Sequence, residues 1–293
     1  MDYRSSSKAW KWQVAYLFLL CSWGWVSGQL RYSIVEESEP RTVVGNVAQD
    51  LGVKRSEISH RRLHLEAEKN KYFALNKDNG ALIVKDRIDR ESLCGSSPSC
   101  SMHLEVVAED PFELYSVEID VVDINDNSPI FSSSYRNLKF SEVFTGPGAQ
   151  FALEIAEDVD VGVNGISQYT LNANPYFSLS VKSRKDGTLI PQLILEKVLD
   201  REEKQEHHLI LTAIDGGEPA RSGSCRITIV VLDINDNPPV FNQSVYKVSI
   251  QENLPLRTVI LTLNATDQDE GANGEIEFNF DDHTSKSDEN CSF

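Results

Sequence analysis

The chain has 293 residues, of which 40% are hydrophobic and 25% charged, and its formal net charge is −17. That length allows two or three domains of ordinary size. So acidic a surface repels nucleic acid and anionic membranes, which removes both from the expected partners.

The first 28 residues read as a secretory leader. Arg4, Lys8 and Lys11 give a positive start, Val14 to Cys21 a short apolar run, and Val26-Ser27-Gly28 a cleavage point before Gln29. All four tryptophans (Trp10, Trp12, Trp23, Trp25) lie within this segment, so the mature chain is expected to have none. No apolar span follows it, and the chain as given is expected to be secreted.

After the leader, short runs of alternating apolar and polar residues predict strands. Val117, Ile119 and Val121 alternate with Glu118 and Asp120, and Leu209, Leu211 and Ala213 alternate further on. Lys54 to Arg61 could make a helical turn, but no long amphipathic helix is visible. Strands separated by Gly, Pro, Asn and Asp clusters indicate an all-β chain of β-sandwiches.

Asp-Ile-Asn-Asp-Asn-x-Pro-x-Phe occurs twice, at Asp123 to Phe131 and Asp233 to Phe241, 110 residues apart. Other elements recur in the same order. Asp89-Arg90-Glu91 returns as Asp200-Arg201-Glu202, and Glu142 is followed 110 residues later by Glu252. Asp158-x-Asp160 with Asn164-Gly165 returns as Asp267-x-Asp269 with Asn273-Gly274. The chain is therefore a tandem array, expected to divide at 29–131, 132–241 and 242–293, the third unit being partial.

Carboxylates and amides at fixed repeat positions are hard oxygen ligands, which suits Ca²⁺ with its roughly six to eight oxygens. An EF-hand at Asp267 fails, because Ala272 and Phe278 stand where glycine and glutamate are needed. Asp89 and Glu91 could pass for a glycosidase pair, but each unit would then hold a redundant active site. No nucleophile, base and cleft constellation is visible, so an enzyme is not expected. His207 and His208 are neighbours on a strand, point to opposite faces and cannot share an ion.

Cys94 and Cys100 flank a five-residue loop that can close a local disulfide in an oxidising compartment. Cys225 alternates with Ile227, Ile229 and Val231 and reads as a buried thiol, while Cys291 has no obvious partner. Asn242, Asn264 and Asn290 each open an N-glycosylation sequon.

These repeated residues resemble cadherin repeats. The Cys94–Cys100 loop after Asp89-Arg90-Glu91, together with Ala48-Gln49-Asp50-Leu51-Gly52 and the start at Gln29-Leu30-Arg31-Tyr32, is similar to the first repeat of a clustered protocadherin. The resemblance implies tandem Greek-key, seven-stranded sandwiches joined end to end by calcium-binding linkers, with three Ca²⁺ between neighbours.

Carried over by position, it implies a first ligand set of Glu36, Asp89, Glu91, the carbonyl of Ile124, Asn125, Asp126 and the carbonyl of Asn127. Asp158, Asp160, Asn164 and Asp215 would complete it. The second set would be Glu142, Asp200, Glu202, Ile234, Asn235, Asp236, Asn237, Asp267, Asp269 and Asn273, with no counterpart of Asp215. The first repeat has no Asp-x-Asp loop at its top, which fits a domain that no other precedes. Asp110, which aligns with Asp215, is then a bystander.

The implied function is calcium-dependent homophilic adhesion and recognition between cells, chiefly neurons. The partner would be the same or a closely related protocadherin on the apposed cell, with the full-length form at the plasma membrane. The alternative is a secreted calcium-binding fragment that modulates full-length adhesion molecules, or an incomplete product. Without tryptophan, strand exchange anchored by that residue is closed to the mature chain, and the short form is expected to be monomeric.

Overall fold

The computed structural model describes residues 29–66 and 71–279. The leader at 1–28, the sequon at Asn290, Cys291 and the end of the third predicted unit lie outside the described residues. The chain forms two compact units. One comprises the chain through Pro129 with Asp158–Ile166 and Asp215–Arg221. The other comprises Ile130–Glu157, Ser167–Ile214 and the chain from Ser222 onward. Two loops of the second predicted repeat thus pack with the first.

In the first unit, one sheet has the order β1-β7-β6-β3, from β1 (Leu30–Val35), β7 (Phe112–Val122), β6 (Ser101–Glu109) and β3 (His64–Leu65). The facing sheet is β2-β5-β4, from β2 (Val43–Asn46), β5 (Ala81–Val84) and β4 (Phe73–Leu75). β1 runs parallel to β7, with Ile34 opposite Val121. The period-two pattern holds along β7. Val117, Ile119 and Val121 are buried, while Glu118 and Asp120 stay outside near Arg31. Val106, Leu82 and Ile88 complete a core in which each buried aliphatic contributes roughly 1.5–3 kcal/mol.

Among the described residues, three short helices interrupt the strands: α1 (Val47–Asp50), α2 (Arg55–Arg61) and α3 (Arg90–Cys94). The last two fall where the sequence leaves a helical turn and where Asp89-Arg90-Glu91 stands. A disulfide joins Cys94 to Cys100.

The second unit repeats the plan. Its larger sheet is β10-β13-β14-β8, from β10 (Ile166–Leu171), β13 (Glu206–Asp215), β14 (Ser222–Leu232) and β8 (Tyr135–Ser141). The other is β11-β12-β9, from β11 (Phe177–Ser183), β12 (Leu189–Leu195) and β9 (Gln150–Ala152). Cys225 is buried on β14 beside Ile227 and Ile229, as the alternation predicts. His207 is buried against Tyr176 at 4.6 Å and Phe177 at 5.4 Å, while His208 is exposed. From 242 to 279 the regular structure is slight. β15 (Val240–Phe241) pairs with β16 (Ala265–Thr266), and Leu256 and Val259 are exposed.

Candidate metal centres

The first site is built where β1 ends, where α3 begins and where the chain leaves β7. Glu36 follows β1 and is buried at 1% exposure, held by two backbone amides. Its Oε1 accepts from the Ile124 amide at 2.9 Å and its Oε2 from the Arg90 amide at 2.7 Å. Asp89 caps α3, accepting from the Ser92 amide and hydroxyl at 2.8 Å each. These bonds hold the Asp89 carboxyl below its ordinary range. Carboxylate oxygens of Glu36, Asp89 and Glu91 lie within 4.8 Å of one another, and so do those of Glu91, Asp123 and Asp160. Glu91 belongs to both groups.

Asn127 ties the linker to the next loop. Its amide donates to Asp160 at 3.1 Å, and its side-chain NH₂ donates to Asp126 at 2.7 Å and to Asp160 at 2.8 Å. Asp160 in turn donates its amide to Asp158 at 3.2 Å. The Ile124 carbonyl accepts from the Asp126 amide at 2.9 Å.

The second site repeats most of this frame. Glu142 accepts from the amides of Arg201 at 2.7 Å and Ile234 at 3.0 Å. Asp200 accepts from the Glu203 amide at 2.8 Å. Asn237 donates to Asp236 at 2.9 Å and to Asp269 at 2.9 Å, and Asp267 accepts from the Asp269 amide at 3.0 Å. The Ile234 carbonyl accepts from the Asp236 amide at 2.7 Å. Asn235 donates to the Asn273 carbonyl at 3.3 Å. The matching acid groups are Glu142, Asp200 and Glu202, and Glu202, Asp233 and Asp269.

Paired carboxylates at such separations repel by about 3 kcal/mol at an effective dielectric constant of ~20. The acids show it. Burial, reinforced by Glu36, pushes Glu91 up to about 7 against the pull of Arg90. Burial and the charges of Asp160, Asp215 and Asp123 push Asp158 up to about 6. Burial and Asp160 also raise Asp126, and burial raises Glu202. A cation at each cluster would oppose the shifts of the acids around it.

The residues present fit such a cation. Asn125 Oδ1 and Asp158 Oδ2 are buried oxygens with no hydrogen-bond donor, a costly state that a hard cation relieves. Every candidate side chain offers oxygen, as Ca²⁺ requires, and among the described residues none of the acid groups includes histidine or cysteine.

The positions carried over from the sequence omit two acids. Asp123 accepts from the Val161 amide at 3.1 Å and from Asn164 at 2.9 Å, and faces Arg90 at 3.2 Å. Asp233 does the same with Glu270 at 3.0 Å, with Asn273 at 2.8 Å and with Arg201. Burial works against the charge on Asp233, but these partners hold its carboxyl below the ordinary range. Both acids open the repeated nine-residue string, so their recurrence was the available signal. The side-chain amides of Asn164 and Asn273 are engaged in orienting these acids. Asp110 is exposed near His60, away from the acid groups.

Comparison with known proteins agrees with this architecture. A cadherin-like family model matches residues 29–110, and a cadherin-domain model matches 145–232. Protocadherin gamma-C5 of Homo sapiens is 56% identical over 277 residues, covering 94% of this chain. The chain spans 29% of that relative's length. A crystal structure of protocadherin gamma C5 EC1-3 superposes with a TM-score of 0.83 at 55% identity, over 88% of this chain and 83% of that one. The mouse clustered PcdhgC3 EC1-3 structure gives a TM-score of 0.81 at 46% identity, over 88% of this chain and 82% of that one.

Proposed function

The chain belongs to the clustered protocadherins of the cadherin superfamily, and from that premise we propose that it serves calcium-dependent homophilic recognition between cells. Its repeats, taken as 29–131, 132–241 and a third beginning at 242, form the extracellular part, and it is not an enzyme. The observation that carries this reading is the duplicated frame of backbone donors. Glu36 and Glu142 are each oriented by two amides, and Asn127 and Asn237 each hold a pair of aspartates together.

Glu36, Asp89, Glu91, Asp126, Asp158 and Asp160 would hold ions at the first site, with Asn125, Asp215 and the carbonyls of Ile124 and Asn127. Glu142, Asp200, Glu202, Asp236, Asp267 and Asp269 would hold them at the second. Asp123 and Asp233 stand beside these sets. Bound Ca²⁺ would supply positive charge to acids that otherwise repel one another. The residues themselves orient those acids and tie each linker to the loop that follows it.

The exposed Asn242 and Asn264 accept N-glycans in this reading. Calorimetric titration of the secreted chain should give calcium affinities of about 10⁻⁴–10⁻³ M, the range of extracellular modules. A chain whose melting and titration heats ignore millimolar Ca²⁺ would sink the proposal.

A further inference from the structure

We propose that Arg221, Gly217 and Pro219 clasp Asn125 and Asp126 independently of any ion, so that the first site keeps its linker in place when calcium is withdrawn. The clasp has two bonds. Arg221 Nη1 donates to the Asp126 carbonyl at 2.5 Å, and Asn125 Nδ2 donates to the Pro219 carbonyl at 2.7 Å. Neither uses a carboxylate that an ion would claim.

The loop that presents them is itself braced. Asp215 Oδ1 accepts from the amides of Gly217 at 3.2 Å and Arg221 at 2.9 Å, the Asp215 amide donates to the Arg221 carbonyl at 3.1 Å, and Gly216 donates to Gly165 at 3.1 Å. Gly217 is required for the approach. A Cβ there would stand 2.1 Å from Asn125 Nδ2 and 2.6 Å from its Cβ, so any larger residue must turn the Asn125 side chain out of its bond.

Two consequences follow from the chemistry. With its NH₂ committed to Pro219, the Asn125 amide has one orientation, and its Oδ1 is left buried without a donor. The clasp thus aims a hard oxygen before a cation arrives, which removes an ordering cost from binding. Arg221 also sets a permanent positive charge beside Asp126, opposing the burial and the Asp160 charge that raise its pKa. In the second unit a guanidinium-to-carbonyl link is made by Arg201, which donates to the Gln268 carbonyl at 2.9 Å. Its counterpart Arg90 turns instead to the carbonyls of Gly95 and Ser97 in the disulfide loop.

Amide hydrogen exchange of the whole secreted chain tests the clasp, with Arg221→Ala and Gly217→Ala against the unaltered protein, in chelator and in millimolar Ca²⁺. In chelator, both variants should exchange about tenfold faster over 123–127 and 215–221. In calcium the difference should close to within about twofold, because ions then hold the same segments. Equal exchange in chelator overturns the clasp. Where calcium slows exchange over these segments in the unaltered protein, an acceleration of the same size with and without it also overturns the clasp, because it would mark these residues as part of the sandwich fold alone. Because the chelator comparison needs no bound ion, it stands even if calcium leaves the unaltered protein unchanged. That last result would count against the proposed function and not against the clasp.

Discussion

Glu91 and Asp158 make the first site sensitive to protons. Burial and neighbouring carboxylates push Glu91 up to about 7 and Asp158 up to about 6, above the ordinary values of 4.5 and 3.8. A raised folded-state pKa means that the native form holds its proton more tightly than the unfolded chain does. Without calcium, these groups add stability at low pH, and that stability is lost as pH rises through about 6 to 7. Calcium binding has the opposite slope, because it needs both groups ionised. Titrations at pH 7.5 and pH 5.5 should therefore show first-site affinity falling by about tenfold or more in acid. An affinity unchanged between them would remove Glu91 from the ligand set. Asp126→Ala gives a second test, set against Glu113→Ala. Glu113 pairs with Arg61 at 3.1 Å, so its loss should lower the melting temperature equally with and without calcium. Asp126→Ala should instead shrink the calcium-dependent rise, which for one site at about 1 mM ion is worth roughly 0.4–1.4 kcal/mol. Matching rises in the two variants would contradict the assignment.

At the scale of strands and helices, the alternation of Val117, Ile119 and Val121, and of Leu209, Leu211 and Ala213, was enough to read the sandwich, because the side-chain period of a half-buried strand is two. α1 was not legible that way. It rests on a cap from Asn46 to the Gln49 amide at 3.0 Å and on Gly80, where a Cβ would stand 2.2 Å from that of Ala48. The approach of Gly80 is a tertiary fact, and the cap, although local, starts a helix of four residues that is too short to show a period. The acid sites were legible as a set because they recur, but the roles of their members were not. Asp123 is absent from the carried-over ligand set, and its place follows only from Arg90, Asn164 and Val161 around it. The disulfide shows how an element supports a site. It closes a loop with a sequence separation of 6, which Arg90 clasps through the Gly95 and Ser97 carbonyls while facing Glu91 and Asp123. Closing so short a loop is worth about 2 kcal/mol in the chain-entropy account. The Cys94→Ser, Cys100→Ser double variant should lose about that much stability and weaken calcium binding at the first site only. Separate calorimetric phases for the two sites would reveal it, and equal weakening at both would break the proposed link through Arg90.

For the molecule as a whole, the question is how much surface these residues offer to a partner. The resemblance to clustered protocadherins implies an antiparallel pairing of the first repeat with a fourth and of the second with a third. The described residues supply two seven-stranded sandwiches and, after them, the short strand pair of β15 and β16, with Leu256 and Val259 exposed. Specific interfaces bury roughly 1,200–2,000 Å², and a polypeptide of these 293 residues lacks most of the strands that such a pairing would bring together. Its net charge of −17 adds repulsion between copies at low salt. Sedimentation of this polypeptide at micromolar concentration in millimolar calcium should therefore give a monomer, and beads coated with it should stay dispersed. Extending the polypeptide through a complete third and a fourth repeat should produce both dimers and bead aggregates. A tight, calcium-dependent dimer of the 293-residue form would place the recognition surface within the first two repeats and overturn the antiparallel reading.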